Sequence, residues 1–375
     1  MLKTLKLKAV VGCLAVALIA TPDATAAFSL SGKICKKAGK ISISEGTTYI
    51  CKKNKKKLLW QVKETVPPKP LLLPTSFDDL LERSTDAHIA AWNSFNTKNL
   101  SARPVEVKQE IYIGPNSTLN NPKISEAFIQ GTKLFEGFRQ PDSFIAVYYD
   151  FSDKEWAKAK LQEFGLNSRA SEVDYSCPNL NHCNGASAGK GNGNTGFSQF
   201  GLPKANEQDA YHLNGAIEIH EYAHMVQAMQ FVGKSTEDKN MGYLPSWFLE
   251  GHAHAVSNLG VSNSLSDYQV IRKEWFKTSP NQEIKSFQPQ DIERFYDELI
   301  PFKGNPEMFG FVYTLGYITI EALMSLKGFD SPSNLILEVS NGASFESAFL
   351  KVYGITWASA KPILAQVISK QFLGK

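Results

Sequence analysis

Long apolar runs are nearly absent from this sequence, and cysteine and histidine are scarce, at 5 and 7 of 375 residues. The longest apolar stretch, "AVVGCLAVALIA" at 9–20, has twelve residues, well short of the roughly 20 that a membrane-spanning helix needs. No later segment is apolar enough to span, so no membrane-spanning helix is expected in the mature chain. Charge of one sign is not in excess either, with a net of +3, and no nucleic-acid partner is expected. No internal repeat is visible, which excludes a solenoid or propeller.

The short apolar run has a use. Lys3, Lys6 and Lys8 precede it and "TPDATAA" follows it. A basic start, a short apolar segment and an Ala24-Thr25-Ala26 exit read as a secretory signal peptide over 1–26, cut near Ala26 or Ala27. The competing reading is a lipoprotein anchor at Cys13, but most of the apolar run follows that cysteine instead of preceding it. The mature protein is expected to be secreted, extracellular or associated with the cell wall, with no transmembrane segment.

Removing 1–26 leaves Cys35, Cys51, Cys177 and Cys183. An even count in an exported chain implies disulfides, and sequence neighbours are the expected partners: Cys35 with Cys51, Cys177 with Cys183. A zinc site built from all four thiolates is the alternative, yet the spacings contain no C-x-x-C pair.

The modest net charge hides a division. Residues 33–69 carry eleven lysines against Glu45 and Glu64, a net of +9, while 70–375 carry a net of −8. The basic part, 31–60, has turn-formers between the β-prone runs "KISI" and "TTYIC". It is too short to build a core alone, so its cysteine pair is expected to staple it. It resembles a short lysine-rich segment with two cysteines found after the signal peptide of secreted actinobacterial proteins. Contact of residues 33–69 with an anionic cell-wall polymer suits such a surface; a solvated lysine face that aids solubility fits equally. A proline-rich, semi-rigid linker follows over 61–75.

One large domain is expected over 76–375. Phe77, Leu80, Leu81, Ala91, Trp92 and Phe95 recur at helical spacing behind a Ser76 cap. Val105, Val107, Ile111 and Ile113 alternate as a strand, 143–151 reads as a buried strand, and helices are expected around Phe128 and Leu161. The stretch 176–204 is rich in glycine and reads as a long loop. Residues 76–208 thus mix strands and helices, whereas from Asp209 almost every periodic segment is helical. The class is α+β.

Scarce histidine makes one cluster conspicuous. "NGAIEIHEYAHMVQAMQ" at 214–230 contains H-E-x-x-H at His220, Glu221 and His224. With so few histidines, chance yields this pattern in roughly one chain in a hundred. On a helix the two imidazoles sit one turn apart, about 6 Å along the axis and ~40° around it, and converge on one ion. Glu221 is turned about 100° from His220, where it can hold an activated water.

Two histidines need a third ligand. "LPSWFLEGHAHAVSN" at 244–258 offers Glu250, with His252 and His254 as rivals. Two histidines and one carboxylate leave a fourth position open, the catalytic arrangement. H-E-x-x-H followed by P-x-W-x-x-E-G-x-A resembles the gluzincin branch of zinc metallopeptidases, in particular peptidase MA-like domains related to the aminopeptidase and thermolysin groups. The resemblance implies a zincin-like fold, a single zinc ion and Glu250 as third ligand. In some relatives a carboxylate four residues after that glutamate orients a ligand histidine; here the position is His254. Tyr313-Thr-Leu-Gly316 resembles the family's Y-x-x-G helix, whose tyrosine donates to the tetrahedral oxyanion. By that match Tyr313 is a candidate catalytic residue, with Tyr317 behind it; an aromatic on a helix is otherwise core. The likeness spans about 209–370.

The expected function is a secreted zinc peptidase acting on a peptide or protein substrate, with Glu221 as general base. No G-A-M-E-N-like segment is present to grip a free amino terminus, which favours an endopeptidase. The rival is an exported, non-catalytic protein that binds cell-wall polymer or another polyanion on a peptidase scaffold.

Overall fold

A computed structural model describes residues 30–44, 47–63, 71–238, 240–278, 287–298 and 306–373. The expected signal peptide and the proline-rich core of the expected linker lie outside the described residues. The chain divides into two compact units, Met1–Pro70 and Leu71–Lys375.

The small unit is a three-stranded antiparallel sheet in the order β1 (Ile41–Ser44), β2 (Thr47–Asn54), β3 (Lys57–Val62). A Cys35–Cys51 disulfide crosses it. The pleat sorts its residues: Tyr49 and Cys51 are buried on one face, while Ile41 and Ile43 stand exposed on the other. Lys33, Lys36, Lys37, Lys40, Lys52 and Lys53 are exposed around this small core.

The large unit begins with the Ser76 capping box, but the helix behind it is short. Phe77–Leu80 gives way to a turn and a 3-10 segment before the long helix Ala87–Ser101. The apolar spacing on both sides of the turn is helical, and Leu80 and Trp92 both join the main core.

The second sheet has the order β4 (Lys108–Ile113), β5 (Ser143–Tyr149), β7 (Thr195–Gly201), β6 (Ala186–Lys190). β4, β5 and β7 are parallel, and β6 is an antiparallel edge. β5 is buried on both faces, which is why it reads as a continuous apolar run. Phe144, Ala146 and Tyr148 join the main core; Ile145, Val147 and Tyr149 join a second core with Ala157, Leu161 and Val173.

The stretch 176–204 is not the long loop expected from its glycines: it contains both β6 and β7. Its small residues are what let the strands form where they do. Gly196 brings β7 against Phe144 and Met225, leaving no space for a side chain, and Phe197 to Phe200 are fully buried. A Cys177–Cys183 disulfide closes the segment before β6.

Beyond β7 the chain is helical. Three helices matter for the site. The histidine helix is Ala216–Met229, the glutamate helix is Ser246–Gly260 with Pro245 as its N-cap, and the tyrosine helix is Pro306–Lys327. The histidine helix lies along β6 and β7 and packs on the glutamate helix, which in turn packs on the tyrosine helix. That last contact is made by glycine. A Cβ on Gly251 would lie 2.2 Å from the carbonyl carbon of Gly316, and one on Gly316 would lie 2.1 Å from the carbonyl oxygen of Trp247.

Away from these helices, half-buried His88 accepts a hydrogen bond from the Gln269 amide at 3.0 Å. Burial lowers its pKa below 6.5; Glu321 opposes this and Arg272 adds to it. The unfolded chain therefore takes up this proton first, and stability at His88 is lost as pH falls below about 6.5. Thermal melts of His88→Asn and wild type are expected to converge between pH 7 and pH 5, the wild type losing more. A parallel fall would remove His88 as a source of acid sensitivity.

Candidate metal centre

All fourteen residues of the histidine helix are buried, so its two imidazoles are held by packing on every side. One turn apart, their Nε2 atoms lie 3.1 Å from each other. Glu250, in the second turn of the glutamate helix, places Oε2 3.3 Å from His220 Nε2 and 3.1 Å from His224 Nε2. The three atoms form a nearly equilateral triangle. Ligands held about 2.0–2.1 Å from a tetrahedral ion stand roughly 3.3–3.4 Å apart, so the triangle has the right size for one. Of the three side chains, Glu250 is 17% exposed against 5% and 9% for His220 and His224; solvent reaches the cluster past the carboxylate.

The electrostatics agree with a cation site. Burial disfavours the charged form of each group. It lowers His220. It would raise Glu250, but the charge on His224 and hydrogen bonds from both imidazoles hold that carboxyl well below the usual range. His224 is raised, because Glu250 outweighs burial. Glu221 is pushed up to about 8 by burial, with Glu250 adding and His224 opposing. Its Oε2 is buried without a hydrogen-bond partner among the described residues.

No family model, curated protein or solved structure matches this chain. Its chemistry is read from its own side chains. His220, His224 and Glu250 can together hold a metal ion.

Neither rival ligand is part of this group among the described residues, although the His254 ring centroid lies 5.6 Å from that of His220. His252 has both ring nitrogens engaged, Nδ1 with Gln227 Nε2 at 3.1 Å and Nε2 with Ser333 Oγ at 3.3 Å. His254 is 1% exposed, and both of its ring nitrogens lack a partner among the described residues. It is boxed by Trp275, with ring centroids 3.9 Å apart, and by Tyr211, Tyr313 and Tyr317. His220 Nδ1 is also without a hydrogen-bond partner among the described residues, so the position four residues after Glu250 does not orient that histidine.

Tyr313 stands beside the cluster, its ring centroid 5.9 Å from that of His220. Burial, then the charges of Glu250 and Glu221, raise its pKa well above 10, so the phenol keeps its proton. Tyr317 is occupied otherwise. Its hydroxyl donates to Tyr268 at 2.9 Å, and Tyr268 donates to Glu321 at 2.6 Å, a carboxylate paired with Arg272.

Sequence reasoning passed over Gln227 and Tyr211. Tyr211 is half-buried against His220 and His254. Gln227 accepts from His224 Nδ1 at 2.8 Å. The available signal for Gln227 was polarity three residues after a ligand, on a helix whose neighbours are apolar.

Proposed function

We propose that this chain is a zinc-dependent peptidase of zincin-like architecture, exported from the cell. The convergence of His220, His224 and Glu250 on one point, with the unpaired carboxyl of Glu221 beside them, carries the reading. Two imidazoles, neutral once His224 yields its proton to the ion, and one carboxylate are a ligand set suited to zinc with a position left open. When bound, zinc lowers the pKa of water toward 7 and polarises a carbonyl. Glu221, held as a carboxylate beside a bound dication, would take a proton from water and pass it to the leaving amine. Tyr313, protonated at neutral pH, would supply a neutral hydrogen-bond donor to a polarised carbonyl oxygen.

An extended substrate is supported by β6. This edge strand lies along the histidine helix, and peptides can bind at the edge of a sheet by strand addition. Two disulfides and the leader support export. Among the described residues no helix is long and apolar enough to cross a membrane. The exposed lysines of the small unit support contact with an anionic cell-wall polymer, expected to weaken as salt is raised.

The test is metal content with casein hydrolysis. Wild type is expected to carry one zinc ion per chain, and zinc at about 100 times its Kd should raise stability by roughly 2.7 kcal/mol. Glu250→Ala should lose most of that thermal shift. Wild-type protein that binds no zinc would end the proposal.

A further inference from the structure

Gln227 is 1% exposed, and its amide is fully engaged. Nε2 donates to the backbone carbonyl of Leu249 at 3.0 Å and to His252 Nδ1 at 3.1 Å, while Oε1 lies 2.8 Å from His224 Nδ1. The Leu249 carbonyl can only accept, and that decides which way the amide points. A flipped amide would set two acceptor oxygens against each other in a buried site. Oε1 faces His224, so His224 Nδ1 carries a proton and its Nε2 is the atom turned toward His220 and Glu250. His252 Nδ1 must accept, so its proton is on Nε2, which donates to Ser333 Oγ at 3.3 Å.

We infer that Gln227 is the positioning residue of the metal centre. It ties the ring of one ligand, His224, to the backbone just before another, Glu250. That single amide sets the proton placement on His224, the rotation of its ring and the spacing between the two ligand-bearing helices. His252 holds the second amide hydrogen and keeps Gln227 from turning. A carboxylate at 227 would not serve, because it has no hydrogen for the Leu249 carbonyl. The inference rests on the metal reading above, but its hydrogen-bond content stands without an ion.

Two measurements on the full chain test it. In zinc-free wild type, nitrogen-15 spectra should show a proton on His224 Nδ1 and His252 protonated at Nε2 alone. His252 protonated at Nδ1, or no Nδ1 proton on His224, overturns the inference whether or not any variant folds. By competition with a chromophoric chelator, Gln227→Met should bind zinc about 10–100-fold more weakly and lose the single His252 tautomer. His252→Phe, which keeps the Leu249 and His224 bonds, should lose less. Zinc affinity unchanged in Gln227→Met overturns the positioning role. Absence of zinc binding in wild type defeats the metal reading instead, and the nitrogen-15 spectra still decide whether Gln227 orients His224.

Discussion

Glu221→Gln is expected to fold like wild type, to keep its zinc and to hydrolyse peptide about 10²–10⁴-fold more slowly. The substitution keeps shape and size on a helix with no exposed residue, so packing has no cause to change. It removes the one property the mechanism needs, a group that takes up a proton and gives it back. Stability should not fall. Burial already opposes the charge on Glu221, whose pKa is pushed up to about 8, and a neutral amide avoids that penalty. Nor is Glu221 one of the three donors around the cation point. The variant therefore separates holding the ion from using it. Zinc retained with full hydrolysis would show that Glu221 is not the base.

The second large effect concerns stability. Gly316→Ala and Gly251→Ala should each cost about 3 kcal/mol or more, because overpacking between backbones cannot be relieved by a change of rotamer. The new carbon meets the Trp247 carbonyl oxygen at 2.1 Å in one case and the Gly316 carbonyl carbon at 2.2 Å in the other. The glutamate and tyrosine helices must move apart to admit it. Tyr313 lies one turn before Gly316 and should be carried away from His220, so activity falls further than the lost stability explains. Gly242→Ala is the control; with nothing within 4 Å of the added carbon, it should stay within about 0.5 kcal/mol of wild type. Equal melting temperatures for all three variants would refute the close contact.

The two motif glycines show how sequence and structure divide the work. Gly251 and Gly316 sit inside the patterns that resemble the gluzincins, yet neither pattern says that they touch. Pairwise proximity across 65 positions is a tertiary fact, and spacing arguments reach only along one element. The H-E-x-x-H geometry was legible because a helical turn places His220 and His224 together before any packing occurs. Glu250 was legible as a candidate, but only the fold brings its oxygen to 3.1 Å from His224. β6 and β7 were missed for a related reason. Their glycine and serine content reads as loop, and what makes them strands is a buried bed between Phe144 and the histidine helix. Gln227 was missed because its role depends on the Leu249 carbonyl of another helix. The split after Leu80 was hidden by apolar positions that remain in helical phase on either side of it.

Because the histidine helix has no outside, variation along it will be hard for any lineage to absorb. When related chains are compared, Ala223 and Met225 will look as constrained as the ligands, for reasons of volume alone. The positions that speak of chemistry will be those where a smaller or apolar residue would have packed as well and did not prevail, and Glu221 is the first of them.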